Sequence, residues 1–511
     1  MVGGALGLFL GWLRGELFVL DQTVAGYHWD SWLNNAWFVA HGHFERMDGF
    51  RKPLFGFLVG SLGESMGYAD ASIILSSVAV VVMIMAGGLL ARVLGGPAAG
   101  GLAAFAVGAS PLVQNAAHWA TGYPLLAAGT ALALALAAAY AVHGLRWTAL
   151  AAGLATILAL SVEDRGLLVL PMVLGLLALG LLRKARHWPL VLGLVVAVAA
   201  VPPAIDHSLG HRAPNALSLA EKRSIQQAVV HRWLSIERDQ NLVAACTHIQ
   251  ADQTLQASFY TTRCAREVLR YNSRTIGPGT TLFPAAWVLI CAVLWWVGGP
   301  LRGRREALAM GALAGVTWLL FAAATPMPHR YILQFAVPLA VVVPVATTRL
   351  AGMLQSGWAG WMLKLVVCLV LSGAAWLLDP YERDSITQRT RGDWSSAEWA
   401  RDAQIVRDTI PDGEQYLDCS GHAVNSALLP EHLYLRRPVM NPSADLCLQW
   451  VTDRNLSGSR PRWLSVSPSQ TLRAPQTREK VRIDELVAKT DGWSYVSSKL
   501  NFQLWVYQRP E

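Results

Sequence analysis

The chain has 511 residues, of which 53% are hydrophobic and 15% are charged. Soluble domains carry about 25% charged residues, so this composition excludes an ordinary soluble enzyme and indicates a membrane protein. The formal net charge of +8 does not indicate a nucleic-acid partner, because no basic run interleaved with aromatic residues occurs. Charged residues are sparse up to about residue 200 and dense from Asp379 onward. We therefore predict a transmembrane domain, residues 1–379, followed by a soluble domain, residues 380–511.

Repeated apolar segments make up the first domain. A helix that spans a bilayer needs roughly 20 apolar residues, and we predict about eleven such helices. The first, residues 1–20, is predicted to be retained, because it carries Arg14 and Glu16 and lacks a basic start and a small-residue cleavage site. The others lie near residues 71–91, 98–113, 123–142, 147–161, 165–182, 188–205, 281–299, 305–325, 331–348 and 361–378.

Lysine and arginine residues fall in alternate short connections, which is the pattern of cytoplasmic loops. They are Arg92, Arg146, the group Arg183, Lys184 and Arg186, the group Arg302, Arg304 and Arg305, and the pair Arg349 and Lys364. The segments 21–70 and 206–280 and the C-terminal domain are then external. The 206–280 loop is itself basic, but long loops are exempt from this rule. We predict a multi-pass protein of the plasma (inner) membrane with an external, periplasmic C-terminal domain.

Four cysteines fall on the predicted external side, where disulfides form. Cys246 and Cys264 lie in the 206–280 loop, and Cys419 and Cys447 lie in the C-terminal domain. They form two candidate disulfide pairs. Four free buried thiols are the alternative, because spacing alone does not prove a bridge.

The C-terminal domain has the pattern of a small α/β fold. Asp393 is a suitable N-cap for a helix that ends near Thr409. Strands are predicted at QYLDC, HLYLRR, RWLSVS, WSYVSS and FQLWVYQ, with helical stretches near 445 and 480. No GxGxxG or GxxxxGK[ST] motif occurs, so no nucleotide site is predicted.

The stretch from Tyr27 to Tyr68 lies between apolar segments but carries acidic and basic residues. Pro53 to Met66 is too short to span a bilayer, so we predict an amphipathic helix in the membrane interface. Its apolar face consists of Leu54, Phe55, Leu58, Leu62 and Met66. Asp30, Arg51 and Lys52 then lie at the lipid–water boundary, where an ionisable residue is costly unless it is paired, hydrated or functional.

Three motifs carry a resemblance to a known family. Asp30 opens the sequence DSWLNNAWFVAHG, which has the pattern Asp-x-Trp-x-x-x-Ala-x-x-x-x-x-Gly, and Arg51-Lys52-Pro53-Leu54 follows it. Pro328-His329-Arg330-Tyr331 stands at a predicted external helix start. These motifs resemble the GT-C membrane glycosyltransferases, in particular the branch with protein O-mannosyltransferases and lipid A aminoarabinose transferases. The resemblance covers residues 1 to about 350 and implies a GT-C-like helical membrane fold.

The resemblance also implies an activity, namely transfer of a sugar from a polyprenyl-phosphate donor to a lipid, glycan or protein acceptor on the outer face of the membrane. Three positions depart from the family pattern. Ser31 follows Asp30 where the family often has Glu, Tyr123 stands near the position of a second acid, and Arg51 replaces an acid before Lys-Pro. Arg51 weakens the argument for a metal taken over from relatives, so the cofactor is left unknown, with a divalent metal as one option.

The residue types suit this chemistry. Because phosphate is a good leaving group, the reaction needs one general base for the acceptor hydroxyl and cations for the phosphate. We assign the base to Asp30, which implies an inverting displacement, and phosphate binding to Lys52, Arg51, Arg330 and His329. Arg165, His118 and Tyr123 are candidates for the substrate groove.

Each assignment has a structural alternative. Asp30 is also a suitable helix cap, Arg51 and Lys52 suit lipid headgroups, and Arg330 suits an interfacial anchor. The adjacent Glu163, Asp164 and Arg165 suit a local ion pair. The spacing of His28, His41 and His43 is not a known zinc pattern, so no metal site is predicted.

Two other functions compete with the glycosyltransferase. A transporter is disfavoured because no matched pair of broken spans occurs in two halves of the chain. A glycan ligase or polymerase would place basic residues in a large external loop. Arg263, Arg266, Arg270 and Arg274 recur there at three- and four-residue spacing, although a solvated helix face is the commoner explanation.

Overall fold

A computed structural model describes most of the chain between residues 32 and 210, without residues 41, 43–50, 67, 118 and 120. Beyond it, the described residues are 247–249, 255–257, 262–275, 306, 312–313, 315–317, 320, 333–354, 358, 362, 366, 411 and seven strands between 416 and 508.

Helices dominate the first domain. In chain order they are α1 (Trp32–Ala40), α2 (Pro53–Met66), α3 (Tyr68–Gly95), α4 (Pro97–Ala109), α5 (Pro111–Ala116), α6 (Tyr123–His143), α7 (Arg146–Val162), α8 (Leu170–Arg183), α9 (Trp188–Gly210), α10 (Thr262–Thr275) and α11 (Leu333–Leu354). Prolines occupy the first turn of α4, α6 and α8, where the missing amide hydrogen costs nothing. Short 3-10 turns, Asp164–Leu168 and Ala185–His187, connect α7 to α8 and α8 to α9.

Three described segments are long and apolar enough to span a membrane, namely Ala71–Gly95, Tyr123–His143 and Ala185–Ser208. Helices α4, α7 and α8 are apolar but shorter, at 10–17 residues. These six elements occupy the positions predicted for the second to seventh spans. The predicted total of about eleven spans stays a prediction, because residues 1–20 and 281–299 lie outside the described residues.

Helix α6 lies at the centre of the bundle and packs against α3, α7, α8 and α11. Alanine and glycine along α6 let neighbouring backbones approach closely. A Cβ atom on Gly129 would lie 3.0 Å from Ala159 of α7, and one on Gly180 of α8 would lie 2.5 Å from the Tyr140 ring. Small residues therefore set the spacing of the central helices.

Helix α2 forms where the sequence predicts the interfacial helix, but the predicted leucine row is not its most buried face. The most buried residues are Phe55, Gly56, Val59, Gly60 and Gly63, whereas Met66 is exposed. A Cβ atom on Gly60 would lie only 2.8 Å from the Ala36 carbonyl oxygen of α1. The glycine face is buried because it allows α1 and α2 to pack at backbone distance.

The helix ends meet in two groups at opposite ends of the bundle. At one end, the start of α6 and the ends of α7 and α9 lie beside Arg51 and Lys52. At the other end, Arg183 donates to the carbonyl of Ala141 at the end of α6, and Tyr140 hydrogen-bonds His187 before α9. This second end holds the basic connections that the sequence predicts to be cytoplasmic.

The described residues of the C-terminal region are almost all strands. They are β3 (Tyr416–Asp418), β4 (Val439–Met440), β5 (Trp463–Val466), β6 (Thr471–Arg473), β7 (Lys480–Arg482), β8 (Ser494–Ser498) and β9 (Trp505–Gln508), and β6 pairs antiparallel with β7. Two further strands, β1 (Thr247–Ile249) and β2 (Leu255–Ala257), pair antiparallel within the 206–280 segment. The five-stranded sheet has the order β4-β3-β5-β9-β8, in which β3 runs parallel to β4 and β5, while β9 runs antiparallel to β5 and β8.

Four predicted strands overlap β3, β5, β8 and β9. The helical prediction near residue 480 is wrong, because β7 pairs there with β6 and places Val481 opposite Leu472. HLYLRR, the helix from Asp393 to Thr409 and the helical stretch near 445 lie outside the described residues. The α/β class of this domain and its boundary at 379/380 therefore stay predictions.

Candidate functional site

Charged side chains from three parts of the chain converge with one tyrosine at the end of the bundle where α6 begins. We call them the charged cluster, which consists of Arg51, Lys52, Tyr123, Glu163, Asp164, Arg165 and Asp206. Arg51 and Lys52 directly precede the proline that opens α2, and the extended residue Glu163 directly follows the end of α7. The charged groups of the cluster thus lie close together because the helix ends that carry them meet there.

Lys52 is bound by three oxygen atoms. Its Nζ atom lies 2.6 Å from the carbonyl oxygen of Leu160 and 2.9 Å from carboxylate oxygens of both Asp164 and Asp206. Burial alone would lower the pKa of Lys52, but the ion pairs and hydrogen bonds with Asp164 and Asp206 outweigh it and raise the pKa. An ammonium group has three donors, so these contacts account for all of them.

This geometry bears on the predicted roles of Lys52. The residue is 6% exposed and joins the start of α2, the turn after α7 and the end of α9. It therefore has protein partners rather than lipid headgroups in this conformation. To contact a phosphate it would have to release one of its three acceptors.

Two guanidinium groups share one phenol oxygen. The hydroxyl oxygen of Tyr123 accepts hydrogen bonds from Arg51 Nη1 at 3.0 Å and from Arg165 Nη1 at 2.7 Å. The guanidinium of Arg51 also lies 5.1 Å from the ring centroid of Trp32, within cation–π range. The two arginines, more than a hundred residues apart in sequence, form one positively charged site.

Glu163 neutralises part of that charge from a longer distance. Its carboxylate oxygens lie 3.6 Å from Arg51 Nη1 and 3.9 Å from Arg165 Nη1, beyond the roughly 2.7–2.9 Å of a charge-assisted hydrogen bond. The residue is 6% exposed, and its Oε2 atom has no hydrogen-bond partner within the described part of the chain. Three cations and three carboxylates therefore balance in the cluster, but Glu163 is held less closely than Asp164.

Aromatic rings form one side of the site. Trp32 packs edge-on against Phe55 at 5.2 Å and against Tyr123 at 5.7 Å between ring centroids. Gly122 makes this packing possible, since a Cβ atom there would lie 2.8 Å from the Trp32 ring. Trp32, which begins α1, thereby connects the first helix to the phenol that binds both arginines.

The structure brings together four of the predicted site residues, namely Arg51, Lys52, Tyr123 and Arg165. Asp30, His118, His329 and Arg330 lie outside the described residues. Asp206 is not among the predicted site residues, and Glu163 and Asp164 are predicted only as local partners of Arg165. The signal for Asp206 was an acidic residue at the predicted external end of an apolar span, beside the predicted end at residue 205.

Cys264 is disulfide-bonded. Cys246, Cys419 and Cys447 lie outside the described residues, so both predicted pairings stay predictions. Within the described ranges, no group of three or more His, Cys, Asp or Glu side chains is arranged to hold a metal ion.

The sequence matches no protein-family model and no curated protein. Solved structures do match it. The apo crystal structure of ArnT from Cupriavidus metallidurans has a TM-score of 0.62 and 14% identity, covering 99% of this chain and 98% of that chain. ArnT bound to undecaprenyl phosphate gives a TM-score of 0.58 and 16% identity with the same coverage.

An apo oligosaccharyltransferase from Archaeoglobus fulgidus gives a TM-score of 0.53 and 12% identity, covering 91% of this chain and 69% of that chain. At these identities the likeness concerns the fold. In the ArnT comparison the alignment covers 99% of this chain.

Proposed function

We propose that the chain transfers a sugar from a polyprenyl-phosphate donor to a lipid, glycan or protein acceptor, because its fold is that of the GT-C membrane glycosyltransferases. The observation that carries this proposal is the convergence of Arg51 and Arg165 on one buried oxygen atom at the end of the bundle. The ArnT structure with undecaprenyl phosphate supports a lipid phosphate as the ligand class.

Arg51 and Arg165 are suited to bind a phosphate. A guanidinium group offers paired N–H donors that match two phosphate oxygens, and it stays charged at any physiological pH. Tyr123 orients both groups. We therefore assign direct contact with the phosphate to these two arginines, and His329 and Arg330 are further predicted contacts.

Lys52 has a positioning role in this proposal. By holding Asp164 and Asp206 it keeps two carboxylates beside the phosphate site neutralised. It also fixes the turn that carries Arg165 against the start of α2.

Asp30 is proposed as the general base. It stands two residues before Trp32 in the sequence, and the packing of the Trp32 ring on Tyr123 supports this proposal. The carboxylate takes the proton of the acceptor hydroxyl while the new bond to the anomeric carbon forms. The bond from that carbon to the phosphate oxygen breaks, and the cations stabilise the negative charge on the leaving phosphate. A single displacement of this kind inverts the anomeric centre.

The positions of the lysine and arginine residues support an orientation of the protein in the membrane. Basic connections lie at the end of the bundle opposite the charged cluster, and cytoplasmic loops are rich in lysine and arginine. The site then faces the outer side of the plasma (inner) membrane, together with the C-terminal domain. A reporter that is active only in the cytoplasm, fused after Glu511, is expected to give no signal.

Binding of undecaprenyl phosphate to purified protein in detergent tests the phosphate site. Arg165→Ala is expected to weaken affinity about tenfold or more, because one charge-assisted contact is lost. Arg266→Ala is the matched control, since Arg266 lies on α10 with its side chain 80% exposed. Equal affinities of the wild type, Arg165→Ala and Arg266→Ala for undecaprenyl phosphate would contradict the proposed site.

In cells that lack the protein, lipid-linked sugar donors are expected to accumulate.

A further inference from the structure

Two adjacent carboxylates in the charged cluster are held differently. Asp164 forms a direct ion pair with Lys52 at 2.9 Å. Glu163 lies 3.6 Å and 3.9 Å from its two guanidinium partners, and its buried Oε2 atom has no hydrogen-bond partner among the described residues. A buried carboxylate normally gains several hydrogen bonds, so the Oε2 atom of Glu163 supplies charge without the contacts that would fix it.

We propose that Glu163 is an exchangeable counter-ion of the Arg51 and Arg165 pair and that the lipid phosphate takes its place. This inference rests on the proposed function. Without a ligand, two guanidinium groups at one buried phenol require a nearby negative charge. When a phosphate arrives and makes short contacts to both arginines, Glu163 becomes a like charge at the same site and opposes the ligand.

This opposition depends on the charge of the phosphate group. A lipid-linked sugar donor that is a phosphodiester carries one negative charge. The product, a phosphate monoester, carries about 1.5 to 2 negative charges at pH 7. Because Coulomb repulsion is proportional to ligand charge, Glu163 disfavours the product more than the donor. The counter-ion therefore favours product release after transfer.

A matched pair of variants tests this role. Glu163→Gln and Asp164→Asn each remove one negative charge, at adjacent positions, with little change of shape. Glu163→Gln is expected to bind undecaprenyl phosphate about tenfold more tightly, because the competing charge is lost. Asp164→Asn is expected not to tighten binding, because it instead removes a direct partner of Lys52. Thermal unfolding of both variants shows whether each is folded.

The charge dependence provides the second measurement. The probes are undecaprenyl phosphate and its methyl ester, which differ in charge but share the lipid. Glu163→Gln is expected to improve affinity for the monoester by a larger factor than for the methyl ester. Equal factors for both probes, weaker binding by Glu163→Gln, or equal tightening by both variants would overturn the counter-ion role.

The outcomes separate the two claims. If wild-type protein does not bind undecaprenyl phosphate, or binds it equally well after Arg165→Ala, the proposed function fails. If wild-type binding requires Arg165 but Glu163→Gln does not tighten it, only the counter-ion inference fails.

Discussion

The ammonium group of Lys52 lies 2.9 Å from a carboxylate oxygen of Asp164, and this ion pair connects the start of α2 to the turn that follows α7. The same ammonium group contacts Asp206 and the Leu160 carbonyl. Lys52 thus holds three helix ends in place, including the turn that carries Arg165. Its removal has consequences for stability as well as for ligand binding.

Lys52→Ala is expected to destabilise the protein by about 2 kcal/mol. Removing one partner of a fully buried ion pair costs roughly 3–5 kcal/mol, but Asp164 and Asp206 are about one-third exposed and water compensates part of the loss. Thermal unfolding in detergent measures the change. Lys184→Ala, at an exposed lysine near the opposite end, is the control and is expected to leave stability unchanged. Equal stability of the two variants would refute the positioning role.

The stabilising contribution of Lys52 is expected to disappear at high pH. The pKa of Lys52 is raised in the folded protein above the usual 10.5, so its contribution is complete below 10.5 and is lost as pH rises through the folded-state value. The difference in stability between wild-type and Lys52→Met should therefore be constant near neutral pH and shrink above about 10.5. Unfolding scans across pH measure this difference. A difference that shrinks already between pH 6 and 8 would show that another group is responsible.

Gly122→Ala is expected to destabilise the site. The added methyl group would lie 2.8 Å from the Trp32 ring, so the ring has to shift, at a cost of roughly 1–3 kcal/mol for overpacking. Gly101→Ala is the matched control, because nothing lies within 4 Å of a Cβ atom there. In a helix this control is expected to be neutral or slightly stabilising. Thermal unfolding of both variants tests the prediction, and a stable Gly122→Ala protein would contradict the packing described here.

Tyr123→Phe is expected to weaken binding of undecaprenyl phosphate by about fivefold to tenfold, because Arg51 and Arg165 each lose a hydrogen-bond acceptor that orients them. The ring and its packing on Trp32 are retained. Tyr140→Phe is the control, since Tyr140 hydrogen-bonds His187 at the other end of the bundle. A binding assay with both variants measures the effect. Equal loss in both would point to a general change in the fold rather than to the arginine pair.

The positions of most described helices can be predicted from the sequence. The length of an apolar run and a proline at a helix start indicate the local conformation directly. The described helices between residues 68 and 210 lie at the predicted positions, and three segments there are long and apolar enough to span a membrane. The buried face of α2 differs from the predicted one for a physical reason. Leucine recurs at four-residue spacing in Pro53–Met66 and glycine at four- and three-residue spacing, and close approach of α1 buries the glycine row.

The site was only partly predictable. Arg51 and Lys52 were found because they adjoin an interfacial helix, but the partners of Lys52 at Leu160 and Asp206 are distant in sequence. Pairing across such distances is decided by how helix ends meet, which local patterns do not encode. The sequence therefore predicts Asp206 only as a residue near the end of a span. The difference between Glu163 and Asp164 lies in their distances to the cationic partners, which the sequence does not give.

The transfer reaction of an Asp30→Asn variant tests the central claim most directly. Asn keeps the shape and the capping ability of Asp but cannot accept the proton. With a polyprenyl-phosphate-linked sugar as donor, we expect turnover to fall by about 10²-fold or more, while affinity for undecaprenyl phosphate stays within about twofold of wild-type. A folded Asp30→Asn protein that transfers sugar at the wild-type rate would contradict the assignment of Asp30 as the catalytic base.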